Sequence, residues 1–406
     1  MALHPDFNAL TSNRFRADPF PILAALRQSG GVHHFEGGMK PSWHVLSHEC
    51  ARTVLLDPET FSSDRSLTTS DQDAADLNLS FLFNNLISAT GDKHRRLRMI
   101  GNRVFMPKFV EKFRGRIQRL VNSQLDAVVG AGKFDLVEDF AAPITIGMIT
   151  TILGLPTEDM PKIREWSQVL GDNSGALTWM REVDPIMAKR GRDTGSAMSA
   201  YFADYINDRA QNPRDGDLIS AFLTVEVDGE RLTREEVLSM AMLLLLAGNE
   251  TTTFLIVNAV RMMVAYPNQT AQLRNDPERI PGFIEEVLRL HASIRNVDRF
   301  ATKDVVLDGV AIPAGGQIVV WLASANRDPV EFDAPEQFDL ARTPNRHFSF
   351  GQGIHHCLGA PLSRLEAELT LRSLVARTRD VRLIGNATLG RNASFSGVTR
   401  QMAAFE

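Results

Sequence analysis

The segment with the most chemical content runs Phe350-Gly351-Gln352-Gly353-Ile354-His355-His356-Cys357-Leu358-Gly359. Gly351 and Gly353 suit a tight loop with positive φ, which can turn backbone N–H groups toward a sulfur. Ala360 to Ala376 has helical composition, so Cys357 stands beside a helix N-terminus, where the dipole and the free N–H donors favour thiolate over thiol. Phe350 is placed to cover the sulfur side of a flat ligand. Gly359 lets backbone approach that ligand closely, and His355 can donate a hydrogen bond to an anion. Two other readings compete. A lone cysteine is most often an inert buried side chain. His355, His356 and Cys357 are all zinc-ligand types, but adjacent residues rarely chelate one ion and no second pair has zinc-like spacing.

Several elements must position that loop. Thr233-Arg234-Glu235-Glu236 is a capping-box pattern that opens a helix, and Tyr266-Pro267 ends it. At 1.5 Å per residue such a helix is roughly 50 Å long, and its all-round apolar stretch Ser239 to Ala247 places it in the core. Strand-like pieces occur at His44 to Ser47, at Val305 to Trp321, and in the last twenty or so residues. Asp308-Gly309 between Val305-Val306-Leu307 and Val310-Ala311-Ile312 predicts a tight hairpin. Asp228-Gly229 predicts another turn just before the long helix. With no repeat, low-complexity tract or linker, the expectation is one mainly α domain over residues 1–406 with small β-sheets.

The bulk composition narrows the function classes. The 406 residues are 44% apolar and 23% charged, enough for a sizeable core. Two cysteines, Cys50 and Cys357, exclude a disulfide framework and fit a reducing compartment. Met1 to Phe20 lacks a charged-then-apolar signal pattern, and the apolar run Met240 to Gly248 is far shorter than the ~20 residues that span a bilayer. A cytoplasmic protein without a membrane partner is expected. A net charge of -5 argues against nucleic acid. Against that balance, Lys93, Arg95, Arg96, Arg98, Arg103, Lys108, Lys112, Arg114, Arg116 and Arg119 are opposed between 93 and 119 only by Glu111. A basic face of this kind steers acidic partners.

The pattern Phe-Gly-x-Gly-x-His-x-Cys-x-Gly at 350–359 resembles the haem-binding signature of the cytochrome P450 superfamily. The resemblance extends over nearly the whole chain, through Asp18-Pro19-Phe20-Pro21, Asp57-Pro58-Glu59-Thr60-Phe61-Ser62-Ser63 and Asn326-Arg327-Asp328-Pro329. It implies the P450 fold, a triangular helical prism with a long central helix, holding haem b through the Cys357 thiolate. Such a ligand pushes electron density onto iron and favours O–O cleavage. The implied activity is insertion of one oxygen atom from dioxygen into a small, largely apolar organic substrate. No flavin or iron–sulfur motif is present, so the resemblance implies an external electron donor, an acidic ferredoxin or a flavodoxin-like protein, acting on a monomer.

The same resemblance assigns residues. Ala247-Gly248-Asn249-Glu250-Thr251-Thr252 is similar to the family's oxygen-activating stretch. Gly248 would leave room over the iron, Thr251 would offer a hydroxyl to dioxygen, and Glu250, where many members have Asp, would relay protons. His94, Arg98, Arg299 and His355 match the family's partners for the two haem propionates. Glu286 and Arg289, with Arg342 from Pro335-Glu336-Gln337-Phe338-Asp339-Leu340-Ala341-Arg342, match a structural ion-pair network. Leu82, Phe83, Trp179, Leu244, Ala247, Gly248, Ile294, Val297 and Phe395 stand at positions that line the substrate pocket. His291-Ala292-Ser293-Ile294-Arg295 lacks the proline usual there. The alternatives are a haem-thiolate enzyme that uses hydrogen peroxide directly, a haem-binding sensor without turnover, and a helical binding protein without haem, which would leave the cysteine signature unexplained.

Overall fold

A 32-residue helix, Arg234–Ala265, is the spine of the molecule. Its start is the expected capping box: Thr233 Oγ1 accepts from the Glu236 N–H at 3.2 Å and Glu236 Oε2 accepts from the Thr233 N–H at 2.9 Å. The helix is long and apolar enough to cross a membrane by length and composition, but 67% of its most apolar window is buried inside the protein. Helices Ala142–Ile152, Met160–Ser174, Pro185–Gln211 and Ala360–Arg377 pack around it. A computed structural model describes residues 9–10, 12–36, 40–67, 85–174, 185–390 and 394–406.

Strands are peripheral. β1 (Val32–Phe35), β2 (Ser42–Val45), β3 (Phe61–Ser62), β5 (Val297–Ala301) and β8 (Gln317–Val320) form a sheet in the order β1-β2-β8-β5-β3. The pair β2–β8 is parallel and the other pairs are antiparallel. β4 (Phe134–Asp135), β9 (Val381–Leu389) and β10 (Val398–Phe405) make a second sheet, and β6 (Val305–Leu307) with β7 (Val310–Ile312) is the expected hairpin. Its Asp308 and Gly309 adopt φ of 50° and 76°, as a two-residue turn requires. Ser47, placed in a strand by sequence, instead caps helix His48–Leu56 by accepting from the Cys50 N–H. β1, β3, β4 and β5 were not expected. β3 and β4 have two residues each, and β5 carries polar Asp298 and Arg299 on a buried strand, so period-2 patterning gave no signal.

The largest apolar cluster joins the central helix to the helices around it, while smaller clusters underlie the five-stranded sheet and the N-terminal helix Phe20–Ser29. The helix Ile280–Leu290 is tied to the following loops by the expected network. Arg289 donates to Glu286 Oε1 at 2.7 Å and Oε2 at 2.8 Å, and Arg342 donates to Oε1 at 3.1 Å. Arg289 also reaches the carbonyls of Asn326, Pro335 and Gln337. Glu286 and Arg289 are fully buried, yet every acceptor and donor has company, the condition under which a buried ion pair is tolerated. Burial pushes the Glu286 carboxyl up, but these bonds win and hold it below its ordinary range.

Candidate haem-thiolate site

The cysteine loop is closed by backbone bonds: Gly351 N–H to Phe348 C=O at 2.8 Å, and Cys357 N–H to Phe350 C=O at 2.8 Å. Gly351 and Gly353 take φ of 66° and 72°, and a Cβ at 353 would stand 2.5 Å from the Leu55 carbonyl oxygen. The expected helix follows as Ala360–Arg377. The N–H groups of Gly359 and Ala360 point at the sulfur and, with Arg98 and Arg364, draw the Cys357 pKa down. Burial outweighs them, and the thiol is raised above its ordinary value. The helix terminus and loop donors act in the expected direction, but desolvation penalises the anion unless a metal takes the sulfur.

Four side chains from three elements converge near this loop. His94 and Arg98 come from helix Gly91–Val104, Arg299 from β5, and His355 from the loop itself. The His94 and His355 rings lie 4.4 Å apart, and both Nε2 atoms are buried without a hydrogen-bond partner. Arg98 donates to the His356 carbonyl at 2.6 Å and Arg299 to the Asp298 carbonyl at 2.7 Å, but neither forms an ion pair with a described carboxylate. Burial, with Arg299, His94 and Arg98 nearby, pushes His355 down to about 3. Burial pushes Arg299 down to about 10 against the pull of Asp298. Arg299 is buried and Arg98 half-buried; Asp298 pulls on Arg299, but neither arginine has an ion pair among those described, and two imidazole nitrogens are orphaned, an arrangement that suits an anionic ligand. Two propionates fit that demand, so the residues present suit haem.

On the central helix, Leu244, Ala247 and Thr251 are at least partly accessible, while Leu243, Leu245, Asn249, Thr252 and Thr253 are buried. The accessible positions share one helical face. Thr251 Oγ1 donates back to the Ala247 carbonyl at 2.6 Å, and the Ser293 hydroxyl donates to the Thr251 carbonyl at 2.7 Å. Ser293 thus anchors the segment that lacks a proline. Ser396 N–H to Ser293 C=O and Arg295 N–H to Ser394 C=O complete its ties. Ile294 pairs with Phe395 in an isolated bridge, and Phe395 lies 6.4 Å from the Phe254 ring. Ile294, Val297 and Phe395 are half-buried. Leu82, Phe83 and Trp179 lie outside the described residues.

Gly248 also serves the packing of a neighbouring helix. A Cβ there would meet Ile149 Cδ1 at 3.2 Å, so this glycine permits close packing of helix Ala142–Ile152. The basic run differs from its count. Arg96 pairs with Glu236, Arg95 with Asp92 and Arg114 with Glu111, while Lys93 is exposed and acts on Glu236, leaving Arg103, Lys108, Lys112, Arg116 and Arg119 as exposed cations outside the ion pairs described.

Sequence reasoning missed three features. Glu285 holds Arg364 at 2.7 and 2.8 Å, and Arg364 lies 4.4 Å over the Phe350 ring. Glu366 is buried on helix Ala360–Arg377, where burial pushes its carboxyl well above the usual range, and its Oε2 has no partner. An acid among Leu362, Leu365, Ala367 and Leu369 was the available signal. Thr145, Asn249 and Thr253 form a buried hydrogen-bonded cluster between two helices.

This loop, its converging cations and the central helix define a member of the cytochrome P450 family, and the chain belongs to it: the family pattern described as Cytochrome P450 matches residues 7–379. The chain is 38% identical over 389 residues to the cytochrome P450 monooxygenase PikC of Streptomyces venezuelae, covering 93% of this chain and 88% of that one. It is 36% identical over 367 residues to cytochrome P450 109 of Bacillus spizizenii, covering 90% and 86%. The solved structure of P450BioI in complex with hexadec-9Z-enoic acid ligated acyl carrier protein superposes with a TM-score of 0.90 at 31% identity, covering 97% of this chain and all of that one. The protein is therefore a cytochrome P450 monooxygenase, an oxidoreductase with a haem-thiolate centre.

Proposed function

We propose that this enzyme holds haem b through Cys357, with His94, Arg98, Arg299 and His355 on the propionates, and oxygenates a small, largely apolar organic molecule. The observation that carries the reading is the pair of arginines without an ion pair among those described, beside two orphaned imidazole nitrogens, next to the cysteine loop. When bound, haem supplies the redox chemistry by which one oxygen atom enters substrate and the other leaves as water. The chain's own contribution is positional. Gly359 and Ala360 N–H groups and Arg98 offset the charge of the sulfur, and Phe350, braced by Arg364, covers the loop. Thr251 presents a hydroxyl on the accessible face of the central helix, and Glu250, one residue earlier, handles the proton. Leu244, Ala247, Ile294, Val297 and Phe395 form an apolar lining that excludes water and orients substrate. The neighbour in complex with hexadec-9Z-enoic acid ligated acyl carrier protein agrees with an apolar guest.

Electrons come from an acidic ferredoxin or a flavodoxin-like protein docking on the exposed Lys93, Arg103, Lys108, Lys112, Arg116 and Arg119. The protein acts as a single-domain cytoplasmic monomer. The test is a spectrum of the purified, reduced protein under carbon monoxide. A strongly red-shifted Soret band is expected. An unshifted band would mean a protonated or absent thiolate, and no haem band after reconstitution would overturn the assignment.

A further inference from the structure

Gly171 lies within helix Met160–Ser174 without a positive φ, so any residue could adopt its backbone conformation. Glycine inside a helix costs about 1 kcal/mol relative to alanine. Space, not backbone freedom, explains its presence. A Cβ at 171 would stand 2.6 Å from Glu250 Oε2, 2.7 Å from Oε1 and 2.9 Å from Cδ, and those are its three nearest neighbours. The Glu250 carboxylate therefore lies against the bare backbone of the neighbouring helix. At Gly248, on the central helix, the neighbour is the apolar Ile149.

We infer that Gly171 is a positioning residue for Glu250: its missing side chain makes the seat in which the carboxylate of this residue, one before Thr251 on the central helix, rests. The inference builds on the proton-handling role given to Glu250 above. The three atoms nearest a methyl group at 171 would all belong to the far end of a flexible side chain. The fold can absorb it, and the acid is what moves.

The test uses the haem-loaded enzyme with NADH, a ferredoxin and its reductase, with no organic substrate added, so that dioxygen is the only terminal electron acceptor. Rates of oxygen uptake, the ratio of NADH to dioxygen consumed, and the solvent isotope effect are compared. That ratio is one when two electrons and two protons yield hydrogen peroxide, and two when four of each yield water. Gly171→Ala is expected to keep or raise the thermal midpoint, lower the ratio toward one, and slow water formation about tenfold, within the ~100-fold that a 1 Å misplacement can cost. Its crystal structure should show the carboxylate displaced from residue 171. Adding Glu250→Asp, one methylene shorter, should restore the ratio at least halfway. Glu250→Gln should be as impaired as Gly171→Ala or more so. If Glu250→Gln is impaired while Gly171→Ala matches wild type, the seat is overturned and the role of Glu250 stands. If Glu250→Gln itself matches wild type, the role of Glu250 falls and the inference with it. A carboxylate unmoved in the Gly171→Ala crystal structure would also overturn the seat.

Discussion

Two buried clusters of charge stand in this protein, and they differ in completeness. Around Glu286, two arginines, the Asp339 N–H and the Asn345 amide all meet one carboxylate, so the cluster closes on itself. Around His355, two arginines and two imidazoles gather with no acid in an ion pair, and two ring nitrogens have no partner. A closed network does structural work, because its charges are compensated in the folded chain alone. An open one is compensated only when something else arrives. The same residue types therefore divide into scaffold and site by what they leave unpaired.

The comparison breaks most visibly at Glu286. Glu286→Gln leaves Arg289 and Arg342 as buried cations without a counter-charge, and a loss of about 3–5 kcal/mol is expected. Urea unfolding of purified protein measures it, and a loss below about 1 kcal/mol would erase the distinction from the open cluster.

The open cluster should respond with the opposite sign. Arg299→Leu removes a buried cation that has no ion pair, so the haem-free protein should be no less stable than wild type. Haem affinity should fall about 10- to 100-fold, the value of a charge-assisted bond of about 1.5–3 kcal/mol. Haem titration and unfolding of the same samples separate the two effects. Equal destabilisation of the haem-free form would make Arg299 part of the scaffold.

A smaller effect sharpens the contrast through pH. His44 is buried and closed: the Trp321 indole N–H donates to its Nδ1 at 2.9 Å and Ser42 Oγ lies 3.0 Å from its Nε2. Burial, with a smaller push from His33, holds it down to about 3. A base whose folded pKa lies below its unfolded value of about 6.5 adds stability that is complete above that value. That stability is lost as pH falls through the window toward 3. Between pH 6.5 and 5.5 the loss from His44 is about 1 kcal/mol. His44→Gln should flatten that part of the stability–pH curve. His355 should add a similar slope in the haem-free protein only, since propionates would raise its pKa. An unchanged slope on haem binding would argue against His355 as a propionate partner.

Local chemistry was legible in the linear chain where one segment carried it. The cysteine loop, the capping box at Thr233, the Asp308-Gly309 hairpin and the Glu286–Arg289 spacing all depend on residues a few positions apart, which local backbone geometry controls. The resemblance at 350–359 added family and cofactor. Tertiary structure alone decided matters of burial and approach. It set burial against the helix-terminal N–H groups at Cys357 and raised the thiol on balance, because desolvation is a property of the packed fold. It turned Gly248 toward Ile149 and Gly171 toward Glu250, and no spacing rule distinguishes two helical glycines by what lies opposite. It also spent Arg96 on Glu236, 140 positions away, while leaving Arg299 without an ion pair. Which charges are satisfied depends on contacts made across the whole chain, so the open cluster could be seen only once the chain was folded.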